Sequence, residues 1–285
     1  MEYFCKELNK EFSSKIEMFT ALRESHKEII TSKKAQIYNT DIDKEKCTVK
    51  VKPIDPNKLR QQVKGIEIDD DYYYIAVNTT KILDSHSDLH LNGIWNKTAK
   101  EQQGKNYLLE DHQLRASSVI VRKEHIEMFV AEIPFAMLNQ PYDGSTEALM
   151  YKFRKDKVTK PEYKEWLDSG DEIQASVRMQ YVIILFALNS MDDEDKEFKK
   201  NYDQHINQIA NKADFDEIDY FWPVKEAKNV SESSLVLFGS NHATGLIGND
   251  NKQKPDDSTS DKNNEPPTKG TQNEKRNFYL SLLKN

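Results

Sequence analysis

The chain has 285 residues, which corresponds to one or two domains at about 150 residues per domain. Hydrophobic residues make up 37% of it, and residues 248–275 contain no Ala, Val, Ile, Leu, Met, Phe, Trp, Tyr or Cys. The rest of the chain therefore has enough apolar residues for a core, whereas residues 248–275 do not. The net charge of −7 argues against a protein that binds nucleic acid by neutralising its phosphates.

The sequence also disfavours membrane insertion, secretion and a disulfide framework. The longest apolar run, YVIILFAL at 181–188, is far shorter than the ~20 residues of a spanning helix. The first residues mix acids and lysines where a secretory signal has an apolar stretch. Two cysteines, Cys5 and Cys47, are too few for a disulfide framework, so we expect a protein of the reducing cytoplasm.

Apolar residues at helical spacing predict one long amphipathic helix over residues 1–36. They recur every three or four positions, at Phe4, Leu8, Phe12, Ile16, Phe19, Leu22, His26 and Ile29. A single apolar stripe must be buried, so we expect this helix to pack on the protein's own core, on a second copy of the chain or on a partner. Pro53 and Pro56 then mark a boundary, and residues 1–60 are predicted to be this helix and a linker.

Beyond these prolines, short β-branched and aromatic runs predict strands. The predicted strands lie at 72–77, 119–121, 128–133, 149–153, 173–188 and 234–238. Helical patterns interrupt them at 160–167, where Pro161 suits a first turn, and at 192–213. Irregularly spaced strands with helices among them indicate an α+β domain over residues 61–246.

The C-terminal residues divide into a polar segment and a short apolar one. Residues 247–275 are rich in Asn, Asp, Lys, Ser and Pro, which is the composition of a disordered linker. Residues 276–285 carry an apolar cluster of Phe278, Tyr279, Leu280, Leu282 and Leu283. Either this cluster folds back on the domain, or it docks in a groove of a partner while the linker tethers it.

Several common signatures are absent from the sequence, namely Walker A, GxGxxG, CxxC, HExxH and GxSxG. The densest polar cluster consists of Asp84, His86, Asp88 and His90, which alternate and would share one face of a strand. These side chains could hold the metal ion of a hydrolase. The alternative is a solvated loop, which is the usual structure of a Ser-rich acidic run.

Three further residues could carry acyl-transfer chemistry if the fold brings them together. His112 precedes a long β-rich stretch, Ser176 lies just before the most hydrophobic strand, and Glu232 lies in the run SESSLVLFGSN at 231–241. In contact, such residues form a nucleophile, a general base and a carboxylate that orients the base. Taken singly, each of them is equally compatible with a structural role.

Four short segments occur in the order and spacing of one protein family. They are DSHSDLHLNGIW at 84–95, His112 after a short spacer, ASV at 175–177 and ESSLVLFGSN at 232–241. In this order they resemble the motifs of the tailed-phage prohead proteases, which are related to the herpesvirus assemblins. The resemblance covers roughly residues 65–245.

The resemblance implies a closed, mostly antiparallel β-barrel surrounded by helices. It implies a serine endopeptidase that cleaves scaffold and capsid precursors, and itself, inside the assembling procapsid in the host cell cytoplasm. Its partners would be the major capsid protein, the scaffold precursors and further copies of the chain, with no nucleic acid, membrane, metal or cofactor involved. By carry-over, Ser176 would be the nucleophile, His112 the general base and Glu232 the third member. His242, because assemblins use a second His, and Asp111 are the alternatives to Glu232.

The sequence departs from the family pattern next to the nucleophile. Family members commonly carry Gly two residues after it, where this chain has Arg178. The departure affects the backbone beside Ser176 and any oxyanion donor there. Two other functions stay open at this point: a non-catalytic capsid-assembly or scaffold protein that keeps the protease fold, and the metal-dependent hydrolase built on residues 84–90.

Overall fold

The structure, a computed structural model, describes residues 3–37 and 68–247. It begins with a hairpin of strands β1 (Tyr3–Cys5) and β2 (Lys10–Phe12), which is followed by the 21-residue helix α1 (Lys15–Ala35). The helix predicted for residues 1–36 is therefore wrong from Tyr3 to Ser14 and confirmed from Lys15 to Ala35.

A capping arrangement explains where α1 begins. The Ser14 hydroxyl accepts a hydrogen bond from the backbone N–H of Glu17, and the Glu17 carboxylate accepts one from the backbone N–H of Ser13. The hairpin before the cap buries Cys5 and Phe12. Phe4, which belongs to the predicted stripe, is 57% exposed, whereas its neighbour Cys5 is buried. Neighbouring residues of a strand point to opposite faces, and the helical stripe did not anticipate this.

The other strands and helices extend from Tyr72 to Ile247. In chain order they are β3 (Tyr72–Thr79), β4 (Asp88–His90), α2 (Asn96–Glu101), β5 (Tyr107–Glu110), β6 (Val119–Val121), β7 (Glu127–Pro134), β8 (Ser145–Arg154), α3 (Pro161–Ser169), β9 (Gln174–Ile184), β10 (Ala187–Leu188), α4 (Lys196–His205), β11 (Tyr220–Val236) and β12 (Gly245–Ile247). All six predicted strands overlap strands of the structure, and α3 confirms the helix predicted at 160–167.

The helix predicted at 192–213 is confirmed only in part, because α4 ends at His205. Beyond it, tertiary hydrogen bonds replace helical ones. The Asn211 side chain bonds to both the backbone N–H and the C=O of Leu83, and the backbone N–H of Ala210 donates to Lys81. These contacts hold the chain after α4 against the segment between β3 and β4.

Two larger sheets build the domain, and β11 organises one of them. This strand pairs with β9 and β10 in antiparallel fashion and with β4 and β5 in parallel fashion, and β6 extends β5. The other sheet has the antiparallel order β12-β3-β8-β7. The main core contains side chains of both sheets, among them Ile75, Tyr151, Val177 and Leu235. The predicted α+β class is confirmed.

The predicted closed β-barrel is not observed. Within the described ranges the backbone ladders form separate sheets of two, six and four strands, and no ladder joins the two larger ones. Side chains mediate part of that contact instead. The Thr244 hydroxyl accepts from the backbone N–H of Ala175 and donates to the Ala175 carbonyl, which connects the segment before β12 to β9 without strand pairing.

A β-bulge in β11 lies opposite β9. Asn229 pairs with Met179 and Ser233 with Val177, so three residues of β11 oppose Arg178 alone. Within this bulge Ser231 has a φ of 69°. Because a bulge changes which way the following side chains point, it determines the face on which Glu232 lies.

Some predictions concern residues outside the described part of the chain. They are the linker with Pro53 and Pro56, the polar segment 248–275 and the apolar segment 276–285. Among the described residues, no helix combines the length and the apolar composition of a membrane-spanning segment.

Candidate active site

One face of the six-stranded sheet carries the side chains that form the site. Ser176 on β9 pairs directly with Ser234 on β11, and Glu232 lies two residues before Ser234. Alternate residues of a strand point to the same face, so these three side chains share it. The opposite face, with Val177 and Leu235, is buried in the main core.

His112 reaches this face from a tight turn at the end of β5. Asp111 and His112 have φ values of 46° and 54°, which lie in the left-handed region. The backbone N–H of Asp111 donates to the Leu235 carbonyl at 3.1 Å, and the backbone N–H of His112 donates to the Ser234 hydroxyl at 2.9 Å. The turn is thus fixed to β11, and the imidazole lies over the strands.

The imidazole of His112 contacts both Ser176 and Glu232. The Ser176 hydroxyl is 2.6 Å from His112 Nε2, and Glu232 Oε1 is 2.8 Å from His112 Nδ1. The second carboxylate oxygen, Oε2, accepts a hydrogen bond of 2.8 Å from the Ser234 hydroxyl. Glu232 is fully buried and Ser176 is 3% exposed, so these hydrogen bonds are shielded from water.

These contacts define the tautomer of the histidine. An ionised carboxylate only accepts hydrogen bonds, so the proton of neutral His112 lies on Nδ1 and points at Glu232. Nε2 then carries no proton, and its lone pair accepts the hydrogen bond of the Ser176 hydroxyl. This is the arrangement in which a histidine can act as general base toward a serine while a carboxylate orients it and stabilises its protonated form.

The two alternatives to Glu232 do not contact the His112 ring. His242 Nε2 lies 2.8 Å from the Tyr142 hydroxyl, which donates a hydrogen bond to Asp214. Burial lowers the pKa of His242. Asp111 is exposed, and its backbone holds the turn. The carboxylate beside His112 is therefore that of Glu232.

The metal site predicted from Asp84, His86, Asp88 and His90 is not formed. One carboxylate oxygen of Asp84 accepts the backbone N–H groups of His86 and Asp88 at 2.8 and 2.9 Å. His90 Nδ1 lies 2.9 Å from the side-chain oxygen of Asn78. In the described part of the chain, no three His, Cys, Asp or Glu side chains converge as metal ligands would. The alternative of a solvated loop is wrong as well, because Asp84, Asp88 and His90 are buried.

These residues instead connect α1 to the sheet. The Lys33 ammonium, near the end of α1, lies 2.6 Å from one Asp88 carboxylate oxygen, and the other accepts from the Tyr181 hydroxyl at 2.8 Å. Burial and the neighbouring Asp88 carboxylate raise the pKa of Asp84 to about 7. Burial lowers the pKa of His90 to about 4. The polar cluster is thus a buried ion pair with its supporting hydrogen bonds.

A cleft of about 630 Å³ borders the triad on the Glu232 side. Its apolar lining comes mainly from β5, β6 and the segment between them, and its charged lining includes two arginines. The lining residues are Tyr107, Leu109, Leu114, Arg115, Ala116, Val119, Arg122, Glu124, Thr159, Ser231 and Glu232. Leu114 is 60% exposed, so the cleft has an apolar side chain at its solvent edge. The cleft meets the triad at Glu232, and neither Ser176 nor His112 is among its lining residues.

Ser234 is the functional side chain that sequence reasoning missed. It donates to Glu232 and accepts from the His112 backbone, so it positions two members of the triad. A sequence signal existed, since a serine two residues after the candidate carboxylate on a predicted strand shares its face. The left-handed turn at Asp111 and His112 had no comparable signal.

No protein-family model, no curated protein and no solved structure matches this chain. The likeness to the prohead proteases thus rests on the short motifs alone.

Proposed function

We propose that this protein is a serine endopeptidase of the His–Ser–Glu type. The observation that carries the proposal is the single imidazole of His112, which contacts the Ser176 hydroxyl through one nitrogen and the Glu232 carboxylate through the other. Buried serines on strands are common, but a serine, a histidine and a carboxylate in line form an arrangement that can carry out acyl transfer.

The reaction would follow from these contacts. Ser176 Oγ attacks the carbonyl carbon of the scissile peptide bond while His112 Nε2 takes the hydroxyl proton. The negative charge of Glu232 stabilises the imidazolium that results. His112 then gives the proton to the leaving amine as the C–N bond breaks, which leaves an acyl-enzyme on Ser176. A water molecule, deprotonated by His112, attacks the acyl carbon and releases the acid product and the free serine.

The order of the motifs along the chain supports the biological setting. The chain resembles the prohead proteases in this order. We therefore propose that the enzyme cleaves the scaffold and major capsid precursors, and itself, inside the assembling procapsid in the host cytoplasm. The cleft beside Glu232 supports a protein substrate, because it is open to solvent and large enough for several side chains of an extended segment.

Co-expression with the neighbouring capsid and scaffold genes tests this proposal. Three forms of the chain are compared: wild type, Ser176→Ala, and Ser32→Ala as a control at an exposed serine of α1. We expect wild type and Ser32→Ala to process the precursors and Ser176→Ala to leave them intact, with equal thermal unfolding of all three.

Undiminished processing by Ser176→Ala would overturn the proposal. If no form processes any precursor and procapsid assembly still requires the chain, the protein is a non-catalytic assembly factor instead.

A further inference from the structure

Five arginines lie in the described part of the chain, and they divide into two groups. Arg23 forms ion pairs with Asp192, Glu194 and Asp195, and Arg154 forms one with Asp156. The side chains of the other three arginines form no ion pair or hydrogen bond with any described residue: Arg115, Arg122 and Arg178. The chain has 48 acidic against 41 basic residues, so acidic partners are not scarce.

The three unpaired arginines all lie around the triad. Arg178 is two residues after Ser176 on β9, on the same face and about 7 Å along the strand. It lies opposite the bulge of β11 that contains Ser231. Arg115 and Arg122 line the cleft that extends from Glu232 to β6, and both are exposed. One arginine therefore lies beside the nucleophile and two lie in the adjoining groove.

The two acidic residues that line the cleft, Glu124 and Glu232, form no ion pair with these arginines. Glu232 accepts hydrogen bonds from His112 and Ser234 with its two oxygens. Glu124 lines the same cleft, but it forms no ion pair with either arginine there. The Nε of Arg178 is buried and has no hydrogen-bond partner. A buried donor without an acceptor costs free energy, and a bound ligand that accepts its hydrogen bond removes this cost.

On the basis of the proposed function, we infer that the substrate carries carboxylate side chains close to the bond that is cut, and that Arg115, Arg122 and Arg178 bind them. The guanidinium group is planar and presents paired N–H donors that match the two oxygens of a carboxylate. Leu109, Leu114 and Val119 line the same cleft, so apolar residues flank the acidic ones in the segment that fits it.

A binding experiment tests the inference without requiring catalysis. Decapeptides are tiled across the capsid precursor, the scaffold precursor and this chain, and each is made with its natural Asp and Glu and again with Asn and Gln in their place. Both ends are capped, so terminal carboxylates do not compete with side chains. Binding to the full-length Ser176→Ala protein is measured by fluorescence polarisation at low and high salt.

We expect the acidic form of the best-binding peptides to bind at least about tenfold more tightly than its amide form, and this preference to shrink at high salt. Adding R115Q, R122Q and R178Q to the Ser176→Ala protein should remove the preference, whereas adding R154Q should preserve it. Arg154 is the matched control because its guanidinium is already paired with Asp156.

Equal binding of the two forms, including no binding of either, overturns the inference. The inference is also overturned if R154Q reduces the preference for the acidic peptides as much as the three substitutions together do. Neither result affects the proposed protease activity, because that is decided separately by the Ser176-dependent processing of precursors.

Discussion

Replacing Glu232 by Gln removes the negative charge behind His112 and keeps the shape of the side chain. In the structure Glu232 Oε1 accepts from His112 Nδ1 at 2.8 Å, and Oε2 accepts from the Ser234 hydroxyl at 2.8 Å. A glutamine has one acceptor and one donor for these two positions. The result depends on which end of the amide faces the imidazole.

Ser234 decides between the two orientations. Its oxygen already accepts the backbone N–H of His112 and has a second lone pair, so it can also accept from the glutamine NH₂ group. The glutamine oxygen then still faces His112 Nδ1–H, and the tautomer with an unprotonated Nε2 is kept. What is lost is the charge-assisted part of one hydrogen bond and the stabilisation of the imidazolium, about 2–4 kcal/mol. This corresponds to a loss of about 30- to 900-fold in kcat.

The assay uses a fluorogenic peptide that spans a cleavage site mapped in the co-expression experiment. We expect Glu232→Gln to lower kcat with little change in KM, and Ser176→Ala to lower kcat further, since it removes the nucleophile itself. Glu162→Gln, at an exposed position of α3, is the matched control and should keep full activity.

Full activity of Glu232→Gln would refute the role assigned to this carboxylate. If His242→Ala were inactive at the same time, the site would be of the His–Ser–His type of the assemblins.

Three further predictions concern stability, measured by chemical or thermal unfolding. Lys33→Met should lower the free energy of unfolding by about 3–5 kcal/mol, because it leaves the buried Asp88 carboxylate without its cation. The double variant Lys33→Met/Asp88→Asn should lose less, and an equal loss would contradict this explanation. Burial raises the pKa of Asp84 in the folded state to about 7, so the stability that its protonated form contributes is lost as pH rises from about 4 to about 7. Relative to wild type, Asp84→Asn should therefore gain free energy of unfolding over the same range, and a difference that does not change with pH would contradict this. Gly245→Ala should lower the free energy of unfolding by about 2–4 kcal/mol, since φ is 128° and the new Cβ would lie 2.5 Å from the Ile173 carbonyl oxygen. An unchanged unfolding midpoint would contradict this.

The sequence predicted the strands whose own residues carry a β pattern. The aromatic and β-branched runs of β3 and β9 are of this kind. It missed β4, β5 and β12, which have three or four residues each and depend on pairing with β11 or β3. It also missed the first 14 residues of β11, because Pro223 and the charged residues Lys225, Glu226 and Lys228 hide the alternation there. A helical stripe likewise concealed the hairpin at the N-terminus.

The candidate site residues could be predicted from the sequence, but their contacts with one another could not. His112, Ser176 and Glu232 were selected by the order of short motifs, which contains no distances. Their proximity depends on strand register, on the bulge before Ser233 and on a left-handed turn, and these are tertiary features. The polar cluster around Asp88 shows the converse, since alternating ligand-type residues became a buried ion pair once α1 supplied Lys33.

The three triad residues come from three neighbouring strands of one sheet. Their distances therefore depend on the register in which these strands pair. β9 contributes Ser176, β11 contributes Glu232 and Ser234, and the turn after β5 contributes His112. A slip of β9 by one residue would turn Ser176 into the core and bring Val177 to the site face. That slip is opposed by the buried core on the far face and by the Tyr181 hydroxyl, which binds Asp88. Because Asp88 also binds Lys33, the end of α1 and the strand that carries the nucleophile are held by the same carboxylate, so α1 contributes to the site without contacting it.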